Sequence, residues 1–214
     1  MRNIGIFGGT FDPVHLGHLR PALEILDALS LDHVRFIPTG CPPHRRMPVA
    51  PAALRLAMLK AAVAGEPRFV VDERELPHST PCYTVDTLTE LRREFPDDAL
   101  WLIVGMDAFL GFPSWHEWLR LFELAHIVVA HRPGWTFKGD GALAEVLATQ
   151  HTGLPPRDRL AGKVVMQAVT QLEISATQVR DCVAEGRDPR YLVPDAVRDI
   201  LIESNCYTAK VQTG

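Results

Sequence analysis

Two histidines bracket a leucine and a glycine at His15-Leu16-Gly17-His18, a few residues behind Gly8-Gly9-Thr10-Phe11. Imidazole can donate a hydrogen bond or carry positive charge, and glycine leaves the backbone open to a bulky anion, so this grouping suits phosphate handling. A second grouping stands far along the chain at Ile174-Ser175-Ala176-Thr177-Gln178-Val179-Arg180. Ser175 with Gln178 three residues on has the form of a helix capping box, and Gly186 suits the position just past the helix end. Capping accounts for Ser175 but not for Arg180, whose charge near a helix start opposes the dipole. An anion held by Ser175, Thr177 and Arg180 removes that conflict.

Each piece also has a bland account. Gly8-Gly9 can be only a tight turn, and a single histidine near a helix start is more often incidental than catalytic. Two of them flanking a glycine are less easily an accident. The segment is neither GxGxxG nor a P-loop, so hydride transfer and Walker-type chemistry lack their fingerprints.

These residues need elements to hold them. Short apolar runs at Ile4 to Phe7, Val34 to Ile37, Phe69 to Val71, Leu100 to Val104 and Ile127 to Ala130 read as buried parallel strands. Between them, Leu16, Leu19, Leu23 and Leu26 recur at helical spacing, and further helices are expected over Pro51 to Ala64 and Val85 to Phe95. Strand and helix in alternation imply a doubly wound, mostly parallel Rossmann-like α/β sheet with helices on both faces, with ligands at the carboxyl ends of the strands. Gly8 and Gly9 then sit in the first βα turn. Pro21, tolerated in a first turn and costly deeper, puts the start of that first helix near Gly17 or His18 and His18 among the unpaired amides. Residues 131 to 163 read as an irregular connection around one helix, Ala142 to Thr149, with the strand count after residue 160 left open.

A chain of 214 residues, 47% hydrophobic, holds one core, so a single domain over 1–214 is expected, its C-terminal part helical from about 175. A formal net charge of −4 gives no global basic field for a nucleic acid polymer. Cys41, Cys82, Cys182 and Cys206 form no CxxC pair, and reduced thiols are expected. The N-terminus lacks a signal peptide's apolar region and no run spans a bilayer, so the expectation is a cytoplasmic protein without membrane partners. Nothing in the sequence sets an oligomeric state.

The HxGH stretch resembles the (T/H)xGH signature of the nucleotidyltransferase superfamily of α/β phosphodiesterase type. That resemblance implies ATP phosphates contacted by His15 and His18, with Gly8, Gly9, Thr10 and Phe11 forming the nucleotide turn. The later segment resembles the ISSTxIR motif that binds the triphosphate, Ala176 standing where a second serine is usual. Ser175, Thr177 and Arg180 carry over as ATP-binding residues, and His15, His18 and Arg180 as the catalytic set. Magnesium is implied with the ATP phosphates, and no metal-binding residues are assigned to the protein.

Three more segments bear on the acceptor: Pro42-Pro43-His44-Arg45, Tyr83-Thr84-Val85-Asp86-Thr87-Leu88, and Gly105-Met106-Asp107 leading to Phe112-Pro113-Ser114-Trp115-His116-Glu117-Trp118. With Arg132-Pro133-Gly134 they are similar to the bacterial nicotinate mononucleotide adenylyltransferase family over almost the whole chain. By resemblance Trp115 stacks on the nicotinate ring, amides near Thr84 and His116 receive its carboxylate, Tyr83 is a further acceptor-binding residue, Asp107 meets the sugar, His44 and Arg45 the phosphate, and Arg132 lies near the same ligand. Plainer readings stand beside these: Pro-Pro can stiffen a loop, Thr84 or Thr87 can cap a helix, and Trp115 and Trp118 can both be core. The implied reaction joins ATP and nicotinate mononucleotide into nicotinate adenine dinucleotide and pyrophosphate, in NAD biosynthesis. The alternatives are adenylyl transfer to another phosphorylated acceptor such as phosphopantetheine, and a non-catalytic nucleotide-binding regulator.

Overall fold

The computed structural model describes residues 1–42, 47–134, 141–152 and 158–208. Its centre is a six-stranded sheet in which each neighbouring pair runs parallel: β1 (Asn3–Gly9), β2 (His33–Pro38), β3 (Phe69–Val71), β4 (Ala99–Gly105), β5 (His126–His131) and β6 (Val164–Ala168). The order β3-β2-β1-β4-β5-β6 reverses direction between β1 and β4, the place where a doubly wound sheet opens a crevice. The first five strands contain the five apolar runs. The sixth falls inside the region left open, because Val164-Val165-Met166-Gln167-Ala168 is short and loses its apolar character toward its carboxyl end.

Residues on β4 and β5 alternate between two cores, as the twofold period of a strand requires. Trp101, Ile103, Val128 and Ala130 pack with α1 (Leu16–Ala28), α2 (Ala52–Val63), α7 (Ala176–Ala184) and α8 (Asp195–Ser204). Leu100, Leu102, Val104, Ile127 and Val129 pack with α3 (Thr84–Glu94), α5 (Leu121–Leu124) and α6 (Gly141–Gln150) on the other side. A short helix α4 (Met106–Leu110) follows β4 directly, and two 3₁₀ turns, Phe112–Ser114 and Trp118–Arg120, lead to α5. No described helix is long and apolar enough to cross a membrane.

Two local expectations are corrected. Helix α1 begins at Leu16, not at Gly17 or His18, and Pro21 lies inside the helix, beyond its first turn. The cause is His15, whose extended backbone caps the helix while Leu192 O accepts the Leu16 amide at 3.0 Å. The His18 amide is not free either, since it donates to His15 O at 2.9 Å.

Candidate active site

Strand β1 ends in two glycines for different reasons. A Cβ on Gly8 would meet open space, so the backbone there is accessible, whereas a Cβ on Gly9 would come within 3.0 Å of the Phe11 ring. Phe11 takes a left-handed backbone, φ 48°, which drops its ring into the core at 1% exposure. Its expected part in ATP binding is thereby limited to its backbone. The ring lies edge-on beneath His18, with centroids 5.2 Å apart.

His15 and His18 form a tilted pair, ring centroids 3.7 Å apart. Gly17 permits it, because a Cβ there would lie 2.9 Å from His15 Nδ1 and 3.0 Å from the carbonyl of Ile174. The Ile174 contact also brings the start of the second motif against the first. Burial pushes the His15 imidazole down to about 4, and burial followed by the neighbouring His15 pushes His18 down to about 3. Both rings are therefore neutral near pH 7. His18 Nδ1 accepts the His15 amide at 3.3 Å, which puts the His18 proton on Nε2. His15 Nδ1 is buried without a protein partner.

Ser175 caps α7, its Oγ accepting the Gln178 amide at 3.1 Å, and Gly186 follows the helix with φ 71°. Arg180 departs from the expectation that only an anion explains it. Its Nη1 donates to the Asp12 carbonyl at 2.7 Å and its Nη2 to Thr177 Oγ1 at 3.1 Å. Protein oxygens thus offset the unfavourable dipole. The same bonds clasp α7 onto the first βα turn, so the two segments expected to handle phosphate, 168 residues apart at this contact, meet there.

One cavity of about 270 Å³ opens between the ends of β1 and β4. Gly8, Gly9 and Thr10 line it from the nucleotide turn, and Tyr83, Thr84, Trp115 and His116 from the expected acceptor segments. Trp115 is half-buried against Phe112, centroids 4.8 Å apart, and Tyr83 packs on His116 at 4.6 Å. Neither Thr84 nor Thr87 caps α3, whose cap is Tyr83. Thr87 instead gives its hydroxyl to Glu75 Oε1 at 2.6 Å.

Other expected site residues stand apart. Asp107 is exposed in the first turn of α4, beside the cavity-lining Gly105 and Ala108. Arg132 is exposed and paired with Glu173 at 2.8 Å, not in the cavity lining. His44 and Arg45 lie outside the described residues. Three residues carry weight that the sequence reading had not assigned. Glu75 lines the cavity wall, its carboxyl pushed up by burial. Arg55, 1% exposed on α2, donates Nη1 to Thr10 O at 2.8 Å. Tyr207 gives its hydroxyl to Asp12 Oδ1 at 2.6 Å. A charged residue amid Ala52-Ala53-Leu54-Arg55-Leu56-Ala57-Met58 was a visible signal; Glu75 and Tyr207 offered none.

The Asp12 carboxylate is engaged by protein donors. Its two oxygens accept from Val49, Ala50 and Tyr207, and among the described residues no three His, Cys, Asp or Glu side chains are grouped to hold an ion. The site thus combines neutral imidazole donors, one clasped guanidinium and an aromatic cavity. It suits the alignment of a polyphosphate with a flat, anionic second substrate.

Comparison with known proteins gives a consistent result. A cytidylyltransferase-like family profile matches residues 6–182. A protein of Aeromonas salmonicida named "Probable nicotinate-nucleotide adenylyltransferase" is 47% identical over 208 residues, covering 96% of this chain and 97% of its own. A Halorhodospira halophila protein of the same name is 48% identical over 213 residues, covering 97% and 96%. Among solved structures, Plasmodium falciparum nicotinic acid mononucleotide adenylyltransferase complexed with NaAD superposes with TM-score 0.75 at 19% identity, covering 97% of this chain and 98% of its own.

Proposed function

The chain belongs to the nicotinate-nucleotide adenylyltransferase family within the cytidylyltransferase-like proteins, and on that premise we propose that it transfers the adenylyl group of ATP to nicotinate mononucleotide. The products are nicotinate adenine dinucleotide and pyrophosphate, a step of NAD biosynthesis. One observation carries the reading: the nucleotide turn and the aromatic acceptor segments line a single cavity at the β1–β4 reversal. Chain 1–214 acts as one nucleotidyltransferase domain with a helical C-terminal part from about 175, and a consumer of ATP of this kind works in the cytoplasm.

The acceptor phosphate is already an anion and pyrophosphate is a good leaving group, so attack on the α-phosphorus needs no covalent enzyme intermediate. The protein's task is to align two mutually repelling anions and to stabilise charge on the transferring group. Gly8, Gly9 and Thr10 leave backbone open to the nucleotide. His15 and His18 offer imidazole donors, and Arg180 with Thr177 and Ser175 faces the triphosphate. Magnesium would enter with ATP as the Mg-ATP substrate and would offset the charge of its phosphates; the Asp12 carboxylate is already engaged by Val49, Ala50 and Tyr207.

Trp115 supports the nicotinate ring by stacking, while amides near Tyr83, Thr84 and His116 receive the carboxylate. A carboxamide would turn its own N–H₂ toward one of those donors. One unsatisfied buried polar group costs roughly 1–3 kcal/mol, which predicts a preference for the acid of about tenfold to a hundredfold in kcat/KM. Trp115→Ala lowers both efficiencies by similar factors. Steady-state kinetics on nicotinate mononucleotide and nicotinamide mononucleotide check this. Equal efficiencies would refute the pocket, and turnover of neither would refute the function.

A further inference from the structure

Asp12 follows the nucleotide turn and is only 5% exposed, so its carboxylate requires donors. It finds them in distant parts of the chain. The Val49 amide reaches Oδ2 at 2.7 Å, the Ala50 amide reaches Oδ1 at 3.0 Å, and the Tyr207 hydroxyl, 195 residues away, reaches Oδ1 at 2.6 Å. Tyr207 is itself buried at 5% exposure, just past α8. Two residues earlier in the same turn, buried Arg55 holds the Thr10 carbonyl.

Arg180 stands beside this carboxylate without closing on it. Nη1 is 2.7 Å from the Asp12 carbonyl but 3.9 Å from Oδ2. A freed carboxylate this near would draw the guanidinium into a close charge-assisted pair, occupying its donors and cancelling its charge. Such an arginine is a poor phosphate ligand. What keeps the carboxylate turned away is its set of protein donors, Ala50 and Tyr207 on Oδ1 and Val49 on Oδ2. Of the three donors, two are backbone amides, and Tyr207 is the single side chain and gives the shortest bond.

We propose that Tyr207 is a positioning residue for ATP: by holding the Asp12 carboxylate, it leaves Arg180 on the Asp12 carbonyl with its remaining donors open to the polyphosphate. The inference rests on the reading of Arg180 as a triphosphate ligand. Tyr207→Phe deletes one oxygen and keeps the ring in its packing.

The test is the separate KM for ATP and for nicotinate mononucleotide, by pyrophosphate release, in the unmodified protein, Tyr207→Phe, Arg180→Ala and the double variant, with the unliganded melting temperature of each. Tyr207→Phe is expected to raise KM for ATP about three- to tenfold and to move the acceptor KM less than twofold. In the Arg180→Ala background the same substitution leaves KM for ATP unchanged, because the group it acts through is gone. An unmoved ATP KM, an equal rise in both KM values alongside a lowered melting temperature, or an ATP effect that persists without Arg180 overturns the proposal. Absence of turnover in the unmodified protein would fault the functional reading instead.

Discussion

Neutral imidazoles at a phosphate site act as N–H donors before they act as charges. Burial holds His15 near 4 and His18 near 3, so around pH 7 both are neutral, and in the proposed role each would offer an N–H to a phosphate oxygen without desolvating a cation. Removing one such donor costs on the order of a hundredfold in turnover. His18→Ala is expected to fold and to lose about that much, measured as kcat at saturating substrates; near-normal turnover in a folded variant would remove His18 from the mechanism. The same burial has a consequence for stability. In the unfolded chain these imidazoles titrate near 6.5, whereas in the folded chain they resist protonation down to about 4 and about 3. The unfolded state therefore binds protons first as pH falls. Stability is full above about pH 6.5 and is lost as the pH falls toward 4. Allowing for the solvent that reaches His18, the loss between pH 7 and 5 is on the order of 2 kcal/mol, or about 4–8 °C in melting temperature. The melting temperature of His15→Gln should fall less over that interval, and an equal fall in both proteins would assign the effect to other groups. The HxGH pair was legible at this scale because its residue types sit together. Glu75 and Tyr207 were not, because a single Glu or Tyr in a polar stretch carries no pattern and only the fold gives it a partner.

Helix α7 shows how an element can be read correctly and its reason misjudged. Ser175 as cap and Gly186 as terminator follow from local chemistry, and both hold. The dipole argument for an anion at Arg180 was incomplete, because the Asp12 carbonyl that receives the guanidinium lies 168 residues away and no local pattern reports it. Arg180→Ala should both weaken ATP use and release α7 from the nucleotide turn, lowering the unliganded melting temperature by roughly 2–6 °C, since a hydrogen bond from a charged group is worth about 1.5–3 kcal/mol before solvent screening. Thermal melts together with the KM for ATP check it; an unchanged melting temperature would mean that the clasp contributes nothing to the free protein. The strands β4 and β5 were plain in the sequence because each is apolar on both faces and so reads as a continuous run, and β2 was legible from Val34, Phe36 and Ile37 despite Arg35 between them. The edge strand β6 was not, since Gln167 and Ala168 need no burial on the outer side. Helix α1 starts a residue early for a reason equally invisible to periodicity, the carbonyl of Leu192.

At the scale of the molecule, strand order brings the first βα turn beside two of the expected acceptor segments, and Arg180 ties α7 to that same turn. With β1 beside β4 and the helices divided between the two faces, the carboxyl ends of those strands open a cavity that the nucleotide turn enters from one side and Tyr83, Thr84, Trp115 and His116 from the other. This much was implied by alternating strand and helix; the contacts that put Arg180 on the Asp12 carbonyl and Tyr207 on the Asp12 carboxylate were not. The reading competes with adenylyl transfer to phosphopantetheine, which would share the phosphate motifs but has no use for an aromatic slot, and with a regulator that binds ATP and does nothing to it. One assay separates all three. Pyrophosphate release from Mg-ATP is followed with nicotinate mononucleotide, with phosphopantetheine and with no acceptor. The account predicts release that depends on nicotinate mononucleotide and matches the dinucleotide formed one for one, with the other two arms at background. Release driven by phosphopantetheine instead, or ATP binding with no release in any arm, would contradict it.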